Sequence, residues 1–169
     1  PLDDELFFDS MKVFGNNNPL HLEVGCGKGK FTVETAEAEP DVLLIAIERV
    51  QDALVLAMEA AIRKGLKNVF FVSLDAANID QFFADDEIDL LYINFCDPWP
   101  RKKNAKRRLT YHTFLEKYKK LLKLGGQIHF KTDNDKLFCV PILKYSIGSV
   151  SLSRTRAIAA TCALAKSTT

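Results

Sequence analysis

Six consecutive apolar residues, Val42 to Ile47, constrain the fold more than any other stretch of the chain. An alternating pattern would leave one face of a strand in water. An unbroken run of this length suits a strand covered on both faces, as in a parallel sheet between two helical layers. Its surroundings repeat that theme. Leu20–Val24 reads as a strand, 31–38 as a helix stopped by Pro40, and 53–64 as a helix capped by Asp52 and ended by Gly65. Strands at 69–72, 89–95 and 127–132 follow, with a short helix at 78–83 and a longer one at 110–122. The longer helix is expected to end at the Gly125-Gly126 pair. Strands separated by helices imply right-handed crossovers, so the expected fold class is α/β, a doubly wound, mostly parallel sheet with helices on both faces.

Length bounds the rest. With 169 residues, one domain over 1–169 is expected, with 1–19 as an incomplete lead-in and 139–169 of uncertain structure. One helix and one strand are expected from Cys139 onward. No apolar run reaches the roughly 18 residues of a membrane span, and the acidic start does not read as a secretory signal. The four cysteines, 26, 96, 139 and 162, are scattered, with no CxxC pair and no His at ligand spacing. Reduced thiols in a cytoplasmic protein are expected, with no metal and no membrane association.

The net charge of +1 conceals a division along the chain. Residues 1–100 hold 7 Lys+Arg against 19 Asp+Glu, whereas 101–123 hold 10 against 1. Six of those ten positive charges fall between Arg101 and Arg108. They follow directly on Asn94-Phe-Cys-Asp-Pro-Trp-Pro100, where a carboxylate precedes two prolines that flank the only tryptophan. A solvated helix lead-in is the plain reading of such a run. Its position beside a potential site, and the continuation at Lys117, Lys119, Lys120 and Lys123, favour a polyanionic substrate. About six phosphate contacts would lower affinity on the order of a thousandfold between 50 and 200 mM salt.

In open α/β sheets ligands bind beyond the carboxyl ends of the strands, where strand order reverses. Four loops there begin with or follow a carboxylate. The first is Glu23-Val-Gly-Cys-Gly-Lys-Gly, in which Gly25, Gly27 and Gly29 allow a tight turn and close approach of a ligand. A dinucleotide fingerprint would need its third glycine at position 30, which is Lys30, and no Gly-Lys-Ser/Thr follows. The Glu-x-Gly-x-Gly-x-Gly form instead resembles the cofactor loop of class I S-adenosylmethionine-dependent methyltransferases. Glu48, ending the second strand, can accept from both hydroxyls of a ribose, or simply be a solvated charge paired with Arg49. Asp75 can accept from an adenine amino group or cap a helix, and Asn78 is its rival. Asp97 should face the glycine loop, in a loop stiffened by Pro98 and Pro100. Trp99 offers a face on which a base can stack. Asp133 should lie beside Asp97, whereas His21, His112 and His129 read as structural.

Together these residues resemble the bacterial tRNA (guanine-N7)-methyltransferase family, over about Val13 to Phe138. The resemblance rests on Glu23–Phe31, on Ala46-Ile-Glu48, and most specifically on Asn94–Pro100 with Lys106-Arg-Arg-Leu-Thr110 and Lys131-Thr-Asp-Asn134. It implies a Rossmann-like class I methyltransferase fold. It also implies S-adenosylmethionine at Glu23, Glu48, Asp75 and Asp97, with Asp97 also the catalytic residue; the three glycines and Asn78 are expected to join that cofactor site. Trp99, Arg101 and Asp133 would meet the substrate, and Lys103, Lys106, Arg107 and Arg108 the RNA. The implied substrate is a guanine in the variable loop of tRNA, with monomer and homodimer both open. Arg101 stands where the family would have lysine and Cys96 where it would have serine; the family's C-terminal Thr-x-Tyr-Glu segment is not present. The chain is therefore expected to be truncated at its start and incomplete or divergent at its end. Asp-Pro-Trp-Pro also resembles the motif of methyltransferases acting on exocyclic amines. A tRNA-binding module with a vestigial cofactor loop is a further alternative.

Overall fold

The computed structural model describes residues 17–134, and the backbone of 149–154 and 160–163. In chain order the elements are β1 (Leu20–Val24), α1 (Lys30–Ala38), β2 (Leu43–Glu48), α2 (Gln51–Arg63) and β3 (Val69–Ser73). A 3-10 helix (Ala76–Gln81), β4 (Ile88–Asn94), a second 3-10 helix (Lys102–Arg107), α3 (His112–Leu121) and β5 (Leu122–Thr132) follow. Two further strands are β6 (Ser149–Arg154) and β7 (Ala160–Ala163).

The strands form one sheet in the order β3-β2-β1-β4-β5-β6-β7. Every pairing is parallel except β6 with β7. From β1 the chain winds outward through β2 to β3, then returns to the other side of β1 as β4. The ends of β1 and β4 thus flank the point where strand order reverses, which is where a ligand cleft belongs.

Period-two alternation sorts the strand residues between two helical layers. On one face Leu20, Leu22, Val24, Leu43, Ile45, Ile47, Leu91, Ile93, Ile128 and Phe130 pack with Ile79, Phe83, Leu115, Tyr118 and Leu121. These last five come from the first 3-10 helix, its exit and α3. On the other face Leu44, Val69 and Tyr92 meet Val33 and Ala36 of α1 and Ala61 of α2. Residues 43–47 are all buried, so the apolar run has both faces covered.

Several local expectations need correction. Asp52 does not cap α2. Val50 holds the cap position without a side-chain bond, and Asp52 lies in the first turn, where its charge complements the helix dipole. The Glu48 side chain reaches forward instead, accepting from the N–H groups of Arg49 and Val50 at 2.8 and 2.9 Å. At the other end Gly65 does close the helix. Its N–H bonds Ile62 O and that of Leu66 bonds Ala61 O, the paired pattern of a left-handed glycine terminus. The helix expected over 78–83 is a 3-10 helix begun two residues earlier, because Asp75 accepts from Ala77 N at 2.9 Å.

The glycine pair does not end α3. The helix stops at Leu121 and β5 starts at once, because Leu122 is drawn into the core opposite Ile88. Gly125 (φ 85°) and Gly126 instead sit inside β5, where the register slips between the Ile88–Leu122 and Leu90–Gln127 pairs. Beyond Cys139 there are two described strands where one was expected. The helix expected in that region, and residues 1–16 of the lead-in, lie outside the described residues.

Candidate active site

At the carboxyl ends of β1, β2, β3 and β4 lies a cleft of about 630 Å³. Gly25, Gly27, Glu48, Asp75, Asp97, Trp99, Lys106 and Arg107 all line it, although they come from four separate loops. The glycine loop is fastened to the end of β2. Gly25 and Cys26 both donate to Ile47 O, at 2.9 and 3.1 Å, and Gly27 N donates to Glu48 Oε2 at 2.9 Å. Gly25 (φ 78°) and Gly27 (φ 55°) occupy the left-handed region, which a side chain would strain. A Cβ at Gly27 would meet nothing within 4 Å, so the loop there is bare backbone beside open space.

The third glycine has a different task. Gly29 begins α1, and a Cβ on it would lie 2.4 Å from Ala57 Cβ. It lets α1 cross close to α2 and does not line the cleft.

Glu23 lies beneath the loop, 2% exposed, on the α1 side of the sheet. Its carboxylate accepts from Thr32 Oγ1 at 2.5 Å and from Asn94 Nδ2 at 3.2 Å, joining β1, α1 and β4. Burial pushes its pKa above the ordinary glutamate value, and the two hydrogen bonds oppose that shift. Glu23 too lies outside the cleft lining.

Charges divide along the cleft. Glu48, Asp75 and Asp97 supply carboxylates, and Arg49, Lys106 and Arg107 face them as cations. Arg49 does not pair with Glu48; its guanidinium lies 3.8 Å from Asp75 Oδ2. The arm itself is a 3-10 helix with Arg101, Lys102, Lys103, Lys106 and Arg107 exposed. Arg108 is half-buried, and its guanidinium donates from Nε and Nη2 to Trp99 O at 3.2 and 2.9 Å. Arg107 lies over the Trp99 ring, 4.9 Å from its centroid. The continuation along α3 is partly neutralised. Lys117 bonds Asp80 at 2.5 Å and Lys123 bonds Asp89 at 2.8 Å.

The remaining expected residues lie apart from the cleft lining. Asn78 is exposed on the first 3-10 helix, and Arg101 and Lys103 are exposed on the arm. Asp133 is exposed just beyond β5, whose Lys131 pairs with Asn94 at the foot of the Asp97 loop. No histidine lines the cleft. His112 stacks on Tyr111, and His21 and His129 flank Tyr92 in edge-to-face contacts. The thiols of Cys26 and Cys96 are both pushed up to about 12 by burial, which keeps them protonated and poor nucleophiles. Among the described residues no cluster of His, Cys, Asp and Glu could hold a metal, and no helix is long and apolar enough to cross a membrane.

A family of proteins described as putative methyltransferases matches residues 17–157. The chain belongs to this methyltransferase family. Its curated relatives include the tRNA (guanine-N(7)-)-methyltransferases of Bacillus cytotoxicus, 46% identical over 140 residues, and of Brevibacillus brevis, 45% identical over 139. Those alignments cover 83% and 81% of this chain but 62% and 65% of the relatives, so the chain spans under two thirds of their length. Among solved structures, TrmN from Thermus thermophilus aligns with a TM-score of 0.56 at 23% identity, covering 86% of this chain and 36% of that one. The antibiotic-resistance methyltransferase Kmr aligns at 0.55 and 15%, covering 89% and 67%. The fold is therefore the Rossmann-like one of the class I methyltransferases.

Seen as a methyltransferase cleft, the site includes residues to which the sequence alone assigned no role in it. Phe95, Cys96, Leu109 and Phe114 line it as well. Leu109, the first residue after the basic arm, lies where a Cβ on Gly25 would be 3.7 Å from its Cδ1. Phe114 sits one place before Leu115 of the buried stripe of α3 and packs, partly buried, against the same core. Only the loop's position turns its edge into a cleft wall.

Proposed function

We propose that the chain is a cytoplasmic tRNA methyltransferase that moves a methyl group from S-adenosylmethionine to N7 of a guanine in the variable loop. One observation carries this reading. The glycine loop, Glu48 and Asp75 open onto the same cleft as Asp97 and Trp99, with the basic arm at its rim.

The residues fit the methyl donor. Gly25 and Gly27 leave bare backbone for it to lie against. Glu48 Oε1 already accepts two N–H groups, while Oε2 accepts one and keeps a lone pair for a ribose hydroxyl. Asp75 Oδ1 accepts one N–H at the helix cap and Oδ2 faces Arg49, so the carboxylate keeps acceptor capacity for an adenine amine. Glu23 would act one step removed, holding the loop through Thr32 and Asn94.

S-adenosylmethionine supplies an electrophilic methyl on a sulfonium centre. Guanine N7 carries an in-plane lone pair, so the transfer requires no base to remove a proton. A cleft without a histidine, and with the protonated thiol of Cys96, suits that chemistry. Catalysis then rests on alignment and on charge. As the purine gains positive charge, the Asp97 carboxylate favours it and can accept from N1–H and the exocyclic amine. Trp99 supplies a surface for the base, and the exposed cations of the arm hold phosphates.

The test is transfer of radiolabelled methyl groups to unmodified tRNA, followed by nucleoside analysis. N7-methylguanosine is expected, and Asp97→Ala should lower turnover by about a hundredfold or more while bulk tRNA affinity holds. Label in N6-methyladenosine would favour the exocyclic-amine alternative. Failure to bind S-adenosylmethionine in calorimetry would favour the vestigial module.

A further inference from the structure

The loop that carries Asp97 has an uncommon backbone. Phe95 (φ 50°) and Trp99 (φ 39°) both occupy the left-handed region, which bulky side chains rarely enter and which persists only when surroundings enforce it. Each end of the loop is gripped. Phe95 N donates to Lys131 O at 2.8 Å, and the Lys131 ammonium lies 5.4 Å from the Phe95 ring centroid. At the other end, the Trp99 carbonyl takes both hydrogen bonds from Arg108, and Arg107 covers the indole. Asp97 sits midway between the two grips.

Arg108 therefore differs from the rest of the arm. Its fork is turned inward onto one carbonyl, whereas Arg101, Lys102, Lys103 and Lys106 are exposed. A guanidinium can deliver two parallel N–H groups to a single oxygen; an ammonium on a flexible stem holds no such geometry.

We propose that Arg108 is a positioning residue for methyl transfer. By clamping the Trp99 carbonyl it keeps the strained Phe95–Trp99 loop in the shape that turns Asp97 and the indole into the cleft. Phosphate binding then falls to its exposed neighbours. The kinetic part of this proposal rests on the methyltransferase reading above; the structural part does not. The arm then has two ends with different work, one holding RNA and one holding the catalytic loop.

The experiment is Arg108→Lys in the full chain, which keeps the charge and removes the fork. Trp99 is the only tryptophan, so its fluorescence reports on the loop directly. The variant should show a red-shifted emission and stronger acrylamide quenching, with kcat about tenfold lower or more and KM for tRNA within about twofold of wild type. Lys103→Ala should instead raise KM and leave Trp99 quenching unchanged. If the lysine variant does not fold, Arg108→Ala with added methylguanidine is the second arm, and recovery of the wild-type quenching supports the clamp. Wild-type kcat and quenching in Arg108→Lys, with weakened tRNA binding, would make Arg108 a phosphate ligand and overturn the proposal. Wild-type protein without any methyl transfer would remove the functional reading, and altered quenching in the variant would still assign Arg108 to the loop.

Discussion

Single residues in this chain take their meaning from what lies opposite them. Gly25 and Gly27 look like Gly29 in the sequence, yet only the first two border the cleft. Gly29→Ala should destabilise the protein by about 1–3 kcal/mol, because its φ of 73° disfavours a side chain and Ala57 occupies the space. Denaturant unfolding of Gly29→Ala, Ala57→Gly and the double variant measures the coupling. Removing the Ala57 methyl should recover part of the loss, and strict additivity would show that backbone strain alone sets the cost. Tyr118 presents the opposite case. It is fully buried, and its hydroxyl has no hydrogen-bond partner among the described residues. Burial drives its pKa well up, with Cys96 adding to the shift. Tyr118→Phe should leave stability unchanged or raise it by about 1 kcal/mol, read as a higher midpoint in urea.

At the scale of elements, β1, β4 and β5 carry a row of His21, Tyr92 and His129 across one face of the sheet. Burial lowers both histidine pKa values below their ordinary one, partly opposed by Glu39. The fold thus favours the neutral rings. Their contribution is full above about pH 6.5 and is lost as pH falls through the folded-state values. Glu23 acts in the opposite sense. Its raised pKa gives a contribution that is full below about pH 4.5 and lost as pH rises through its folded value. Between pH 7.5 and 5.5 the histidines should dominate, so the melting temperature should fall. His129→Phe keeps an aromatic ring against Tyr92 but does not titrate, and it should reduce that fall. An unchanged pH profile would exclude His129 as a source.

For the whole molecule, the separation of charge along the sequence becomes a separation in space only in part. The arm keeps Arg101, Lys102, Lys103 and Lys106 exposed, while Arg108, Lys117 and Lys123 are tied to Trp99, Asp80 and Asp89. The number of phosphates held should therefore be about four or five. That corresponds to a log–log salt slope near about −4, and to a few hundredfold loss of tRNA affinity between 50 and 200 mM salt. Fluorescence anisotropy across that range measures it. A slope of about −6 or steeper would mean that the ion-paired lysines are released on binding.

How much was legible follows from the same physics. The apolar run at 42–47, the period of the helices and the glycine terminus at Gly65 are local signals, and local sterics and burial sufficed to place five strands in order. The loops that end those strands could be grouped because parallel sheets gather their carboxyl ends on one side. The end of α3, by contrast, depended on Leu122 finding Ile88 on another strand. The roles of Gly29 and Arg108 depended on Ala57 and on a carbonyl nine residues away. Such facts arise from contacts between separate elements, which no periodicity records. Local patterns in the residues carry the layered α/β fold and the grouping of its carboxylate-bearing loops at one end of the sheet. Contacts between separate elements set which of those charges face the cleft and which are paired elsewhere, because such pairings bring together residues far apart in the chain.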